Sequence, residues 1–433
     1  MKKILFILYT CCILLFPVSA QQIPSFKAND RIVFLGNSIT EGGHYHSYIW
    51  LYYMTHFPEL PLRIYNGGIG GDCASHMVFR FDSDIKIKKP TYLVCSFGMN
   101  DSGYDGYNKP GYDKYANKQV EYANTEFGKL QQQILADKKI KNVVLLGSSP
   151  YDENVKLEGV ETLHGKNETI KRIIEMQAEV AQKRGWGFVN FNTVMCELNK
   201  EIQQSDSTAT FCGGDRIHPD KDGHMVMAYL FLKAQGLAGK EVAYFHINAT
   251  NRKAMEERNC RITHIKNEND TISFSYLSRS LPFPVDTIPR WGTKGTARDA
   301  VRQVPFMQEM NQEIMKVTDL HGNFRVTIDG TEIGRWDGNE LSKGINLAEI
   351  TCTPQYQQSL SIMYLNEERC AIEKRLRQYM AMQYVFFKHR GLLFADNKAA
   401  LDAAKAERES HYLVKYLYTN YTQAMFPQIR EAW

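Results

Sequence analysis

The chain has 433 residues, 43% hydrophobic and 23% charged, the make-up of a globular protein with a real core and room for two or three compact units. Lysine and arginine number 52 against 48 aspartates and glutamates, a formal charge of +4, and no block of five or more basic residues occurs. That balance excludes an electrostatic nucleic-acid binder.

In chain order, Lys2 and Lys3 precede the apolar run Ile4–Val18, and Val18-Ser19-Ala20 puts small residues where a signal peptidase cuts. Residues 1–20 therefore read as a secretory signal, and the expected destination is the periplasm or the medium. The run is short for a bilayer span, and no later segment reaches about 18 uninterrupted apolar residues. No integral membrane association of the mature chain is expected. Seven cysteines follow Ala20, an odd number that leaves at least one thiol unpaired, and none forms a Cys-x-x-Cys motif.

From Asp30 to about Gly239, short apolar runs alternate with segments of helical period. Arg31–Leu35, Leu62–Tyr65, Tyr92–Phe97, Asn142–Leu146 and Gly187–Phe191 are the expected strands, buried on both faces. Between them, Val120, Ala123, Phe127, Leu130 and Ile134 mark one face of a helix. Ile170, Ile173, Ile174 and Ala181 mark a second, and Met225, Ala228, Tyr229 and Leu232 a third. The alternation predicts an α/β parallel sheet flanked by helices over residues 21–239, with ligands at the carboxyl ends of its strands. A β-rich region over 240–358 is expected next. Arg261–Tyr276 and Ile314–Trp336 are its antiparallel segments, and Leu281–Pro289 is a connector between them. Residues 359–433 return to helical spacing, as at Tyr379, Met382 and Phe386, and are expected to pack back onto the first unit.

The chemistry-bearing residues stand at the strand exits. Gly36-Asn37-Ser38-Ile39 places a hydroxyl in a tight turn after the first strand. Asn66 to Asp72 holds four glycines in five residues after the second, so the backbone can approach a ligand and present N–H donors. Phosphate binding competes for that turn, although the Lys-Ser/Thr of a P-loop is missing. Gly98-Met99-Asn100-Asp101 follows the third strand. Late in the unit, Asp215-Arg216-Ile217-His218-Pro219 sets a carboxylate three residues before a histidine, where it can accept the Nδ1 proton and leave Nε2 free for a serine. Each block alone has a plainer reading: an ordinary strand–helix turn, a helix cap, a structural histidine.

Taken together and in this order, the four blocks resemble those of the SGNH hydrolases, the GDSL esterase/lipase superfamily. The resemblance covers residues from about 30 to 239. It implies a three-layer, flavodoxin-like fold and a serine ester hydrolase needing no metal or organic cofactor. Carried onto this chain, it implies a nucleophile at Ser38, a base at His218 oriented by Asp215, and an oxyanion hole made by Ser38, Gly71 and Asn100. Asn37 departs from the family's aspartate; an amide can still accept a backbone hydrogen bond there.

His44 and His46 lie two apart with no third ligand evident, so a cleft-wall or structural role is expected rather than a metal site. Tyr104, Tyr107 and Tyr112 are candidates to stack on sugar rings. By analogy with carbohydrate esterases of the superfamily, removal of O-acetyl groups from a polysaccharide or oligosaccharide is the expected activity, with an acetylated glycan as partner. A lipid or aryl short-chain esterase is one alternative. A non-catalytic glycan-binding protein on the same fold is another.

Overall fold

The computed structural model describes residues 22–289 and 294–433. The signal-peptide reading of residues 1–20 lies outside the described residues. Five runs become strands: β1 (Arg31–Gly36), β2 (Arg63–Gly68), β3 (Tyr92–Phe97), β4 (Asn142–Gly147) and β5 (Gly187–Asn190). They pair in the order β2-β1-β3-β4-β5, every neighbour parallel, which is the flavodoxin-like arrangement. Alternate side chains serve opposite faces. Val33, Leu35, Leu93, Cys95 and Leu145 pack with Phe127 and Leu130. Ile32, Phe34, Tyr92, Val94 and Leu146 pack with Tyr45, Tyr52 and Phe231. Burial on both sides is what made these strands read as unbroken apolar runs.

The flanking helices are α1 (Ser38–Glu41), α2 (His44–His56), α3 (Ala74–Arg80), α4 (Tyr112–Ala136), α5 (Lys166–Arg184), α6 (Phe191–Ile202) and α7 (Lys221–Ala234). The expected stripes fall on α4, α5 and α7. The sequence reading missed α2, and the reason is physical. Tyr45, His46, Tyr48, Ile49, Leu51, Tyr52 and Tyr53 are all buried, so the helix has no polar face to set off an apolar one.

A β unit follows. β6 (Ala243–Asn248) and β7 (Lys253–Arg258) are antiparallel, and β8 (Cys260–Glu268) and β9 (Thr271–Ser278) form a hairpin. After α8 (Ala297–Gln303) and α9 (Phe306–Met310) comes β10 (Glu313–Thr318), then the hairpin β11 (Asn323–Ile328)–β12 (Thr331–Asp337). α10 (Gly338–Lys343) and β13 (Ile345–Asn346) close the unit. One expectation is corrected here. Ile314–Trp336 is not a single antiparallel stretch, because its first strand, β10, pairs parallel to β6, which had not been recognised. The unit docks at the far end of α2, where Leu281 N–H bonds Thr55 O and Ser280 Oγ bonds His56 O. Thirteen helical residues put that end about 20 Å from the start of α2.

The chain ends in α11 (Pro354–Ala381), α12 (Lys398–Ala406), α13 (Tyr412–Ala424) and α14 (Pro427–Ala432). Thr353 caps α11 through its side chain and Pro354 stands in its first turn, where a missing N–H costs nothing. α11 lies along β2, the edge strand. Glu373 Oε1 accepts the Asn66 N–H at 2.8 Å and Arg377 Nε donates to Gly68 O at 3.0 Å, satisfying backbone groups that a bare sheet edge leaves open. The helices do pack back onto the first unit. Their core, built on Tyr379, Met382, Phe387, Val414 and Tyr421, also takes in Ile69 from the glycine turn.

The seven cysteines Cys73, Cys95, Cys196, Cys212, Cys260, Cys352 and Cys370 are all free thiols. Among the described residues no helix is long and apolar enough to cross a membrane.

Candidate active site

The order β2-β1-β3 puts the switch point of the sheet between β1 and β3. The turns leaving β1, β2 and β3 therefore converge at its carboxyl edge. Asn37 caps α1, its Oδ1 accepting the Ile39 N–H at 3.0 Å, so the amide holds the turn as an aspartate would. Gly36 and Gly68 admit no side chain here: a Cβ on Gly36 would stand 2.0 Å from Thr40 Oγ1, and one on Gly68 2.2 Å from Glu41 N. Glu41 then reaches across and accepts the Gly70 N–H at 2.5 Å. Burial lifts the Glu41 carboxyl above its usual range, opposed by that hydrogen bond and by the Arg377 charge.

Ser38, half-buried, has its Oγ 2.8 Å from His218 Nε2, and His218 Nδ1 lies 2.5 Å from Asp215 Oδ2. The other Asp215 oxygen accepts the backbone N–H groups of Ile217 and His218 at 3.0 and 2.9 Å. Burial alone raises this carboxyl. The His218 side chain and the two backbone donors outweigh it and hold Asp215 below the ordinary range. An anionic Asp215 at Nδ1 fixes the proton there and leaves the Nε2 lone pair facing the serine.

The loop carrying this pair is pinned by Arg216, which sequence reasoning passed over. Its backbone is left-handed, φ 70°, a conformation costly for an arginine. Its buried guanidinium donates to the carbonyls of Asp152, Val155 and Val160, and Asp152 N–H bonds back to Arg216 O. The lack of any period or motif around residues 152–160 left no signal for that role.

Gly71 has φ 82°, and a Cβ there would meet nothing within 4 Å, so the turn faces open space at that point. Its N–H makes no hydrogen bond among the described residues. Asn100 Nδ2 donates one proton to Asp72 O at 3.0 Å, and its Oδ1 accepts from Tyr104 OH at 2.8 Å. Those two partners set the amide orientation and leave the second N–H unspent. Asp101, buried, accepts from Gly98 N and Ala74 N, both at 2.8 Å, tying the third turn to the start of α3. Beneath it lies Lys166, whose Nζ donates to Met99 O, Ser102 Oγ and Gly103 O at 2.6–2.9 Å and sits 3.7 Å from the Tyr104 ring centre. Burial pushes this ammonium down to about 7, with Cys73 and Asp101 opposing.

Thus Ser38, Asp215 and His218 form one hydrogen-bonded chain, and Asn100 is tied to the glycine turn through Asp72 O. His46 is buried, 3.2 Å from Thr40 O and packed on Phe34, which is the structural role. Of the three tyrosines, Tyr107 is buried with its hydroxyl on Ser102 O and Tyr112 bonds Gly165 O, so they build the loop rather than a groove. Tyr104 is the most exposed of the three, at 36%, and Tyr112 is half-buried. A recess of about 440 Å³ opens at the amino ends of β4 and β5, the end of the sheet remote from Ser38.

Residues 34–226 match the GDSL-like lipase/acylhydrolase family, and residues 360–433 match the diltiazem deacetylase C-terminal helical domain. A solved structure described as a gut microbial diltiazem-metabolizing enzyme is 48% identical, over 95% of this chain and 93% of its own, with a TM-score of 0.93. The acetylxylan esterase of Geobacillus stearothermophilus is 22% identical over 224 residues, 48% of this chain and 95% of that protein. A crystal structure of that esterase aligns over 48% of this chain with a TM-score of 0.38.

Proposed function

The chain belongs to the SGNH, or GDSL-like lipase/acylhydrolase, family and is an esterase, and from that premise we propose that it removes acetyl groups through an acyl-enzyme on Ser38. The observation that carries the reading is the unbroken chain Ser38–His218–Asp215. Ser38 Oγ attacks the ester carbonyl carbon as its proton passes to His218 Nε2. The C–O bond to the alcohol breaks, and His218 returns that proton to the leaving oxygen. Water then adds to acetyl-Ser38, again deprotonated by His218, and acetate leaves. The carbonyl oxygen is held by the N–H groups of Ser38 and Gly71 and the free N–H of Asn100.

Acetyl is the acyl group that the acetylxylan esterase and the matching diltiazem deacetylase C-terminal domain both name. On the alcohol side, the acetylxylan esterase supports a carbohydrate, the expected O-acetyl glycan. The 48% identical neighbour supports a small non-sugar ester, and it covers the helical C-terminus as well. The signal-like residues 2–20 support action outside the cytoplasm. Release of p-nitrophenol should be faster from the acetate than from the octanoate, and a fluorophosphonate should label Ser38 alone. Preference for octanoate would turn the reading to a lipid esterase. Absence of labelling would favour a glycan-binding protein.

Removing Asn100 as a donor, by Asn100→Ala, should lower kcat by about 10²–10³ with little change in KM. Lys166→Met removes the ammonium donor from Met99 O, Ser102 Oγ and Gly103 O just behind that amide. Misplacement of this kind costs up to roughly 10² in kcat, and the variant's loss should be carried by kcat rather than KM in steady-state assays.

A further inference from the structure

The glycine turn that presents Gly71 is also one wall of a second cavity, about 140 Å³, whose other walls come from α3 and the C-terminal helices. Gly70 and Gly71 form the side toward the nucleophile; a Cβ on Gly70 would stand 3.9 Å from Ser38 Cβ. Opposite them are Phe79, Tyr384, Lys388 and Tyr412. That wall of the cavity is thus the glycine turn that packs beside Ser38.

Its size and walls are specific. Apolar cavities of roughly 150 Å³ are known to take up a benzene ring. Phe79 and Tyr412 are large aromatics left 45% and 67% exposed. Phe79 meets Tyr384 edge to face, centroids 6.1 Å apart at 84°, and Tyr384 OH is fixed by Ser83 Oγ at 2.8 Å. Lys388 Nζ lies 3.2 Å from the Phe79 ring centre, a cation that an incoming electron-rich ring would also meet. Met382–Phe387, which supplies Tyr384 to the lining, is a π-helical turn, a rare geometry concentrated at functional sites. The polar groups at the floor are already spent on one another. Asp72 is held by Arg80, and the Arg80 guanidinium also serves Asp84, Gly36 O and Gly67 O. His76, Lys388 and His389 are the other polar residues of the lining.

We propose that this cavity receives the alcohol half of the substrate and holds one aromatic ring of it, making the preferred substrates acetate esters of ring-bearing alcohols. The assignment rests on the Ser38 acetylesterase reading, since an acetyl methyl needs no cavity of this size and the ring must then belong to the alcohol. Phe79, Tyr384 and Tyr412 are its specificity-determining residues.

Benzyl acetate and methyl phenylacetate are isomers that carry the ring on the alcohol side and the acyl side respectively. With ethyl acetate as the ring-free reference, kcat/KM should favour benzyl acetate by about 10–200-fold, the discrimination an apolar pocket supplies. Methyl phenylacetate should gain nothing. In Phe79→Ala/Tyr412→Ala, two exposed positions where folding is safe, the benzyl-to-ethyl ratio should fall about tenfold. Phe79→Tyr should keep it. A ratio near one in the parent enzyme, a ratio unmoved in the double variant, or a ring preferred on the acyl side would overturn the assignment. So would an acetylated methyl xyloside that outperforms benzyl acetate and depends on the same two residues. Failure of the underlying reading shows separately, as ethyl acetate turnover that survives Ser38→Ala.

Discussion

Ser38→Ala is expected to lower kcat on p-nitrophenyl acetate by about 10⁶, and His218→Ala by nearly as much, with KM and melting temperature little changed. The size follows from the two residues acting as one unit. Ser38 Oγ and His218 Nε2 are 2.8 Å apart, and neither a nucleophile without its base nor a base without its nucleophile can make the acyl-enzyme. The double variant should therefore be no worse than either single one. Asp215→Asn should cost about 10⁴, because an amide at Nδ1 no longer fixes the proton there and admits the wrong tautomer. Because Asp215 Oδ1 also holds two backbone N–H groups, Asp215→Ala should in addition loosen the His218 loop. Single and double losses that multiply, or an Asp215→Asn enzyme retaining a tenth of its rate, would break the assignment.

The largest stability effect is expected 339 residues downstream, at Arg377→Met. Asp84 is wholly buried and touches Arg80 at 2.5 Å, Lys88 at 2.5 Å and both Arg377 terminal nitrogens at 2.8 Å. Burial by itself raises its carboxyl, but Arg377, Lys88 and Arg80 together hold it well below the ordinary aspartate range. Taking one cation from a buried cluster leaves charge uncompensated, a loss of about 3–5 kcal/mol. The value should fall at the lower end because Arg80 and Lys88 remain, and it should appear as a reduced urea midpoint. Arg377→Lys should recover part of the loss, since it keeps the charge but not the two-pronged contact. The pH dependence has a definite sign. With the folded pKa depressed, the stabilisation is complete above the unfolded aspartate value of about 3.9 and is lost as pH falls below it. The gap between parent and variant should therefore narrow in acid, where a protonated Asp84 needs no cation. A gap independent of pH would refute the electrostatic account.

The parallel sheet was legible because each of its strands is a short apolar run, and the candidate site because its residues sit at strand exits in motif order. What escaped was of two kinds. α2 is buried on nearly every side, so it shows no stripe to read. The other kind is pairing across long separations. Nothing near Arg377, Glu373 or Ile69 marks them as partners across the edge of β2, since such contacts leave no period in either segment. The same holds for Arg216 and the carbonyls of residues 152–160. Tyr107 was misread because a tyrosine that closes a loop and one that faces a ligand look alike without coordinates.

The link between Gly68 O and Arg377 spans 309 residues. At ribosomal speeds of roughly 5–20 residues per second, the glycine turn waits about 15–60 s after synthesis before its partner exists. Through that interval β2 is an uncovered edge and Ile69 an exposed apolar side chain, the condition in which nascent chains mispair. The last helices thus set the moment of maturation: a ribosome that stops short of them releases a chain whose glycine turn has never been locked.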